Sequence, residues 1–235
     1  MWQFATRVPR RETASCSETA SCRSKAELMN TDYEWQRWNS TFAGEQYYYG
    51  DEAGPVARRT VRYAKPLLPP GASALDAGCG EGQDLAFLAE QGYRATGYEF
   101  TPEGARKTRQ LLQTRKLHAE VIQCDLRTMS TSERYDIVIA INVIQFLGED
   151  APHCLRTLME MVNPGGVVGL SLFACDSGES IEGTIYRTSV ETLLQTFAGW
   201  QPFEAAKLWQ WGAGGQAQPF VTLVARKPRL VCFNP

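Results

Sequence analysis

Histidine is nearly absent from this chain: His118 and His153 are the only two in 235 residues. The seven cysteines are scattered, with no Cys-x-x-Cys pair and no Cys/His cluster. That excludes a zinc site of ordinary ligand spacing, and no metal is expected. No catalytic triad or paired-acid motif stands out. No apolar run approaches the roughly 20 residues that a bilayer span requires. The arginine-bearing N-terminus lacks the apolar stretch of a secretory signal. Net charge is only −2, so no global basic field favours nucleic acid or an anionic membrane. Scattered, unpaired-looking cysteines fit a reducing cytoplasm. With 43% hydrophobic residues, the chain is long enough to bury a sizeable core.

What is present is order and spacing. Ala74-Leu75-Asp76-Ala77 is a short apolar run ending around an acid, and Gly78-Cys79-Gly80-Glu81-Gly82 follows it. Glycines there permit positive φ and close approach of a ligand to the backbone. A second apolar run ends at Glu99, 99 − 76 = 23 positions after Asp76. An acid at that place can accept from ribose hydroxyls. A third run, Ala119 to Gln123, leads to Cys124-Asp125-Leu126. The fourth, Tyr135 to Ile141, is almost wholly apolar, as a central strand covered on both faces must be. Asn163-Pro164-Gly165-Gly166 reads as a turn opening a fifth run, Val167 to Leu172.

These residues together resemble the class I S-adenosylmethionine-dependent methyltransferases over roughly residues 47–227. Within that superfamily the chain looks like the small-molecule enzymes, including the tellurite-resistance and ubiquinone/menaquinone groups. The resemblance implies a Rossmann-like, doubly wound, mostly parallel seven-stranded sheet ending in an antiparallel hairpin. It implies S-adenosylmethionine as cofactor and S-adenosylhomocysteine as product. It assigns Asp76, Gly78, Cys79 and Gly80 to the methionine moiety, with Gly82 also allowing close approach. Glu99 would bind the ribose, Phe100 cover an adenine face, and Asp125 and Leu126 meet the adenine amine and ring. Asn142 and Val143 would lie near the transferred methyl, with Gln145 where many relatives carry histidine.

The rest of the chain divides unevenly. Residues 1–29 are Ser/Thr/Arg-rich and repeat Glu-Thr-Ala-Ser-Cys at 12–16 and 18–22. Disorder is expected there. Two readings stand side by side: a native start at Met29, or a genuine tail. Residues 30–70 are expected to form a helical, aromatic cap, with Trp35, Trp38 and Phe42 at helical spacing. Tyr47, Tyr48 and Tyr49 are candidates to face the reacting centre, as are Gln145 and His153. Residues 71–228 are expected to form the cofactor-binding domain. Helices are expected at 56–68 and 188–197, and a loop over Ala174 to Gly183.

Rivals fare worse. Gly78, Gly80 and Gly82 are each two apart, unlike the wider spacing of dinucleotide-binding enzymes. Asn142-Val143-Ile144-Gln145 lacks the Pro-Pro-Tyr continuation of base-amine methyltransferases. A non-catalytic S-adenosylmethionine-binding regulator, or a nucleic-acid or protein methyltransferase, stays as the alternative to a small-molecule enzyme. Oxygen, nitrogen, sulfur and metalloid acceptors are all open, and the oligomeric state is not legible.

Overall fold

The apolar runs become strands whose side chains alternate between two helical layers. In β4 (Tyr135–Ile141), Ile137 and Ile139 join one buried cluster, while Val138 and Ala140 join the other. All four are fully buried. Period-two alternation therefore fills two cores from one strand, one on each side of the sheet. The computed structural model describes residues 25–129, 132–211 and 216–229.

The remaining elements are α1 (Lys25–Phe42), α2 (Pro55–Ala64), β1 (Ser73–Ala77), α3 (Gln83–Glu90), β2 (Arg94–Glu99), α4 (Pro102–Thr114) and β3 (Ala119–Gln123). After β4 come α5 (Ala151–Met161), β5 (Val162–Phe173), β6 (Glu179–Glu182), β7 (Ile185–Thr188), α6 (Val190–Thr196), β8 (Gln201–Trp211) and β9 (Ala217–Arg226). The main sheet has seven strands in the order β3-β2-β1-β4-β5-β9-β8. Strands β1 to β5 pair in parallel, and β9 runs antiparallel to both β5 and β8. This is the expected doubly wound architecture. Strand order reverses between β1 and β4, which opens a crevice beyond their carboxyl ends.

Local chemistry sets the helix ends. Thr101 Oγ1 accepts from Gly104 N–H at 3.2 Å, and Pro102 occupies the first turn of α4. Ser189, of the two candidate caps for α6, accepts from Thr192 N–H at 3.1 Å.

Four expectations about element boundaries change. α2 ends at Ala64, and the Leu67 and Leu68 N–H groups both turn back onto the Ala64 carbonyl. Asn163 to Gly166 is no free turn. It lies inside β5 as an irregularity opposite Tyr135–Ile137, held by two backbone bonds between Lys227 and the 165–166 peptide region. The loop Ala174 to Gly183 contains β6, which pairs with β7 as a separate hairpin. Helix α1 begins at Lys25, so it takes in residues 25–29 of the expected tail. Residues 1–24, where most of that tail and its repeat fall, lie outside the described residues.

Candidate functional site

The glycine turn after β1 satisfies its own backbone. Gly78 N–H and Cys79 N–H both donate to the Tyr98 carbonyl at 2.8 Å, and Gly82 N–H donates to the Cys79 carbonyl at 2.9 Å. Gly80 N–H donates to Glu99 Oε2 at 3.0 Å. These four N–H groups are therefore spent inside the protein and form no anion cradle. Gly78 stands at φ 79°, and a Cβ there would meet Val143 Cγ2 at 2.4 Å. Gly82 differs from expectation. Its added Cβ would strike Thr108 at 2.7 Å, so it admits α4 rather than a ligand, and it does not border the cavity.

Beyond this turn lies a cavity of about 220 Å³. Asp76, Glu81, Asp84, Glu99 and Asp125 reach it from the end of the sheet, and Glu34 and Glu52 from the N-terminal cap. Among the described residues, Arg127 is its single basic lining residue. Asp76 is 2% exposed, and its Oδ2 has no hydrogen-bond partner. Burial, then Asp84 and Glu99, push the Asp76 carboxyl well up from its ordinary range. Burial also lifts Asp84 to about 6, against the pull of Gly54 N–H and Arg58. Glu99 is raised by burial although Thr101 and Gly80 donate to it. Among the described residues no ion pair reaches Asp76, Asp84 or Glu99. An uncompensated set of buried acids favours a cationic guest and repels a phosphate.

Glu99 is busier than its sequence position implies. Its Oε1 accepts from Thr101 N–H at 2.9 Å and Thr101 Oγ1 at 2.6 Å, beside the Gly80 bond to Oε2. The Phe100 N–H also holds this carboxylate, so Glu99 is fixed in place by its own loop. Asp125 caps the short 3-10 turn Leu126–Thr128, with Oδ1 accepting from Arg127 N–H at 3.0 Å and Nε at 2.9 Å. It also borders the cavity, as do Phe100 and Leu126. Asn142 leaves β4 at φ 56°, a region costly for a residue with a side chain. Ser171 Oγ donates to its Oδ1 at 2.9 Å, and Asn142 N–H bonds the Ser171 carbonyl.

The candidate catalytic residues separate clearly. Tyr49 borders the cavity. Tyr47 instead lies under the Lys107 ammonium, 5.2 Å from its ring centre. Tyr48 donates its N–H to Glu81 Oε2 at 2.7 Å and keeps its side chain half exposed. Gln145 is 1% exposed but does not line the cavity. It sits in the 3-10 turn Ile144–Phe146, where successive side chains diverge by about 120°, so Phe146 takes the cavity and Gln145 the interior. His153 is exposed on α5 and away from the cavity.

Several lining residues escaped the sequence reading: Glu34, Asp84, Phe146, Ser171 and Gln210. Trp38 and Phe42 are buried, as their helical spacing implies, and also wall the cavity. Nothing local in the sequence marks Glu34; it enters because α1 folds back over the sheet's end.

The topology and the acid-lined crevice define a Rossmann-like domain built for a cationic or neutral small ligand. Residues 74–166 match the family model described as Methyltransferase domain. The chain is 31% identical to trans-aconitate 2-methyltransferase of Azoarcus sp. over 135 residues, covering 56% of this chain and 51% of that one. It is 28% identical to nodulation protein S of Rhizobium tropici over 149 residues, covering 60% and 61%. The chain thus spans about half to three-fifths of these curated relatives' length. Among solved structures, TehB from Haemophilus influenzae aligns with a TM-score of 0.62 and 21% identity, covering 72% of this chain and 62% of that one. A 1,6-didemethyltoxoflavin-N1-methyltransferase from Burkholderia thailandensis aligns with a TM-score of 0.65 and 20% identity, covering 89% and 93%. The sheet order and the match over residues 74–166 thus give this chain the fold of those methyltransferases.

Proposed function

We propose that this protein transfers a methyl group from S-adenosylmethionine to a small molecule. When bound, that cofactor supplies an electrophilic methyl on a cationic sulfur, open to direct in-line displacement. The observation that carries the reading is the unpartnered, buried Asp76 Oδ2 in a cavity rich in acids. A ligand bearing an ammonium and a sulfonium meets that charge; a pyrophosphate would not. The consumed N–H groups of the glycine turn support the same choice over a dinucleotide.

Each chain residue then has a task. Asp76 accepts from the cofactor's ammonium end. Gly78, Cys79 and Gly80 present backbone to it, and the preset Glu99 carboxylate meets a ribose hydroxyl. Asp125 and Leu126 address the adenine, with Phe100 beside its face. Asn142, Val143 and Phe146 wall the transfer region, and the cap from α1 to Tyr49 excludes water. Orientation and desolvation of this kind contribute several kcal/mol to a displacement that needs no covalent enzyme intermediate. The matching relatives and neighbours include enzymes named as methyltransferases of small molecules, which supports a small-molecule acceptor. The free thiols of Cys79 and Cys175 support a reducing, cytoplasmic setting. Among the described residues no helix is long and apolar enough to cross a membrane.

Calorimetric titration with S-adenosylmethionine, S-adenosylhomocysteine and NADH tests the reading. Micromolar binding of both adenosyl ligands with none of NADH is expected. Failure of both adenosyl ligands would remove it.

A further inference from the structure

Glu34 is a buried acid that the cofactor reading leaves without a task. It is 2% exposed and stands where α1 crosses the tip of the β6–β7 hairpin. Thr184 Oγ1 donates to its Oε1 at 2.8 Å. Its Oε2 has no hydrogen-bond partner, and the nearest cation, Arg37 Nη1, is 3.5 Å away. That guanidinium forms a half-exposed ion pair with Oε2 and also lies 5.1 Å from the Trp38 ring centre and 5.3 Å from the Phe146 ring centre.

The surroundings of Glu34 are flat and apolar. Trp38 stacks on Phe42 at 5.5 Å, meets Phe146 edge-on at 5.0 Å and lies 6.3 Å from Tyr49. All four rings border the same cavity as Glu34. Aromatic walls favour a planar guest and attract cationic nitrogen to their faces. A desolvated carboxylate with an open acceptor position favours an N–H donor. An anionic acceptor would face Asp76, Asp84 and Glu99, which no ion pair compensates among the described residues.

We propose that Glu34 and its aromatic walls form the methyl-acceptor subsite, and that it takes a planar aromatic molecule carrying an amine. The proposal rests on the cofactor reading above and deepens it. Glu34 recognises and positions the acceptor through that nitrogen.

The test uses three probes sharing one ring: tryptamine (a cation), tryptophol (neutral) and indole-3-acetate (an anion). Each is titrated calorimetrically into the full chain saturated with S-adenosylhomocysteine. Tryptamine is expected to bind at least tenfold tighter than indole-3-acetate, with tryptophol between. Glu34→Gln should abolish that order while leaving S-adenosylhomocysteine affinity within twofold. Arg37→Met, which frees Oε2 of its competing cation, should tighten tryptamine further and serves if the first variant fails to fold. Equal or reversed probe affinities, no binding of any probe, or weaker tryptamine binding by Arg37→Met would each overturn the proposal. Failure of S-adenosylhomocysteine to bind would strike the cofactor reading instead.

Discussion

The Glu81 carboxylate and the Lys107 ammonium stand 2.8 Å apart with both side chains out of water. Lys107 Nζ also donates to the Gln46 carbonyl at 2.6 Å, and Tyr48 N–H donates to the other Glu81 oxygen. One buried pair therefore ties the aromatic segment after α1 to both the glycine turn and α4. Lys107→Met would leave Glu81 buried without its cation. Loss of about 3–5 kcal/mol is expected by chemical denaturation. A loss below about 1 kcal/mol would show that water reaches the pair.

Asp76, Asp84 and Glu99 link the site to pH. A carboxyl raised in the fold binds more protons folded than unfolded, so its contribution to stability falls as pH rises through the window. For Asp84 that window runs from 3.8 to about 6. A cationic ligand reverses the balance by favouring the ionised acids. Free protein should lose stability, and S-adenosylmethionine affinity should rise, across the same window. Calorimetry near pH 6 in buffers of different ionisation enthalpy should show net proton release on binding. Proton uptake would contradict the placing of a cationic cofactor among these acids.

Glu99 and Asp125 allow a direct check of the cofactor register. Glu99→Ala and Asp125→Ala are each expected to weaken S-adenosylmethionine binding more than tenfold. Glu99→Ala also strands the Gly80 and Thr101 donors, so a melting measurement must accompany it. Unchanged affinity in both variants would mean that the ligand lies elsewhere.

Gly78→Ala combines strain with a clash, since φ is 79° and Val143 Cγ2 lies 2.4 Å from the new Cβ. A cost of about 1–3 kcal/mol is expected from the backbone alone. Val143→Ala in the same chain should restore part of it, because the steric component is removed. No restoration would assign the whole cost to φ.

The parallel core was legible because a strand buried on both faces must be apolar along its buried length, as Ile137 to Ile141 is. Asp76, Glu99 and Asp125 were legible because each stands at or just past the carboxyl end of a parallel strand, where doubly wound folds place ligands. The hairpin β6–β7 was not. Its Glu179-Ser180-Ile181-Glu182 run has one apolar residue and pairs only because Ile185 to Thr188 returns beside it. The aromatic Tyr47-Tyr48-Tyr49 run was visible as a candidate, but its three neighbours diverge. Tyr49 alone borders the cavity.

Local sequence by itself determined the order of elements, the helix caps at Thr101 and Ser189, and the acids at the strand ends. Those follow from short-range pattern and backbone chemistry. Tertiary structure decided which acids share a cavity and which of them lack a partner. Glu34 and Thr184 are 150 positions apart, yet they bond at 2.8 Å. Burial and charge compensation depend on such distant approaches, and no local window of residues contains them.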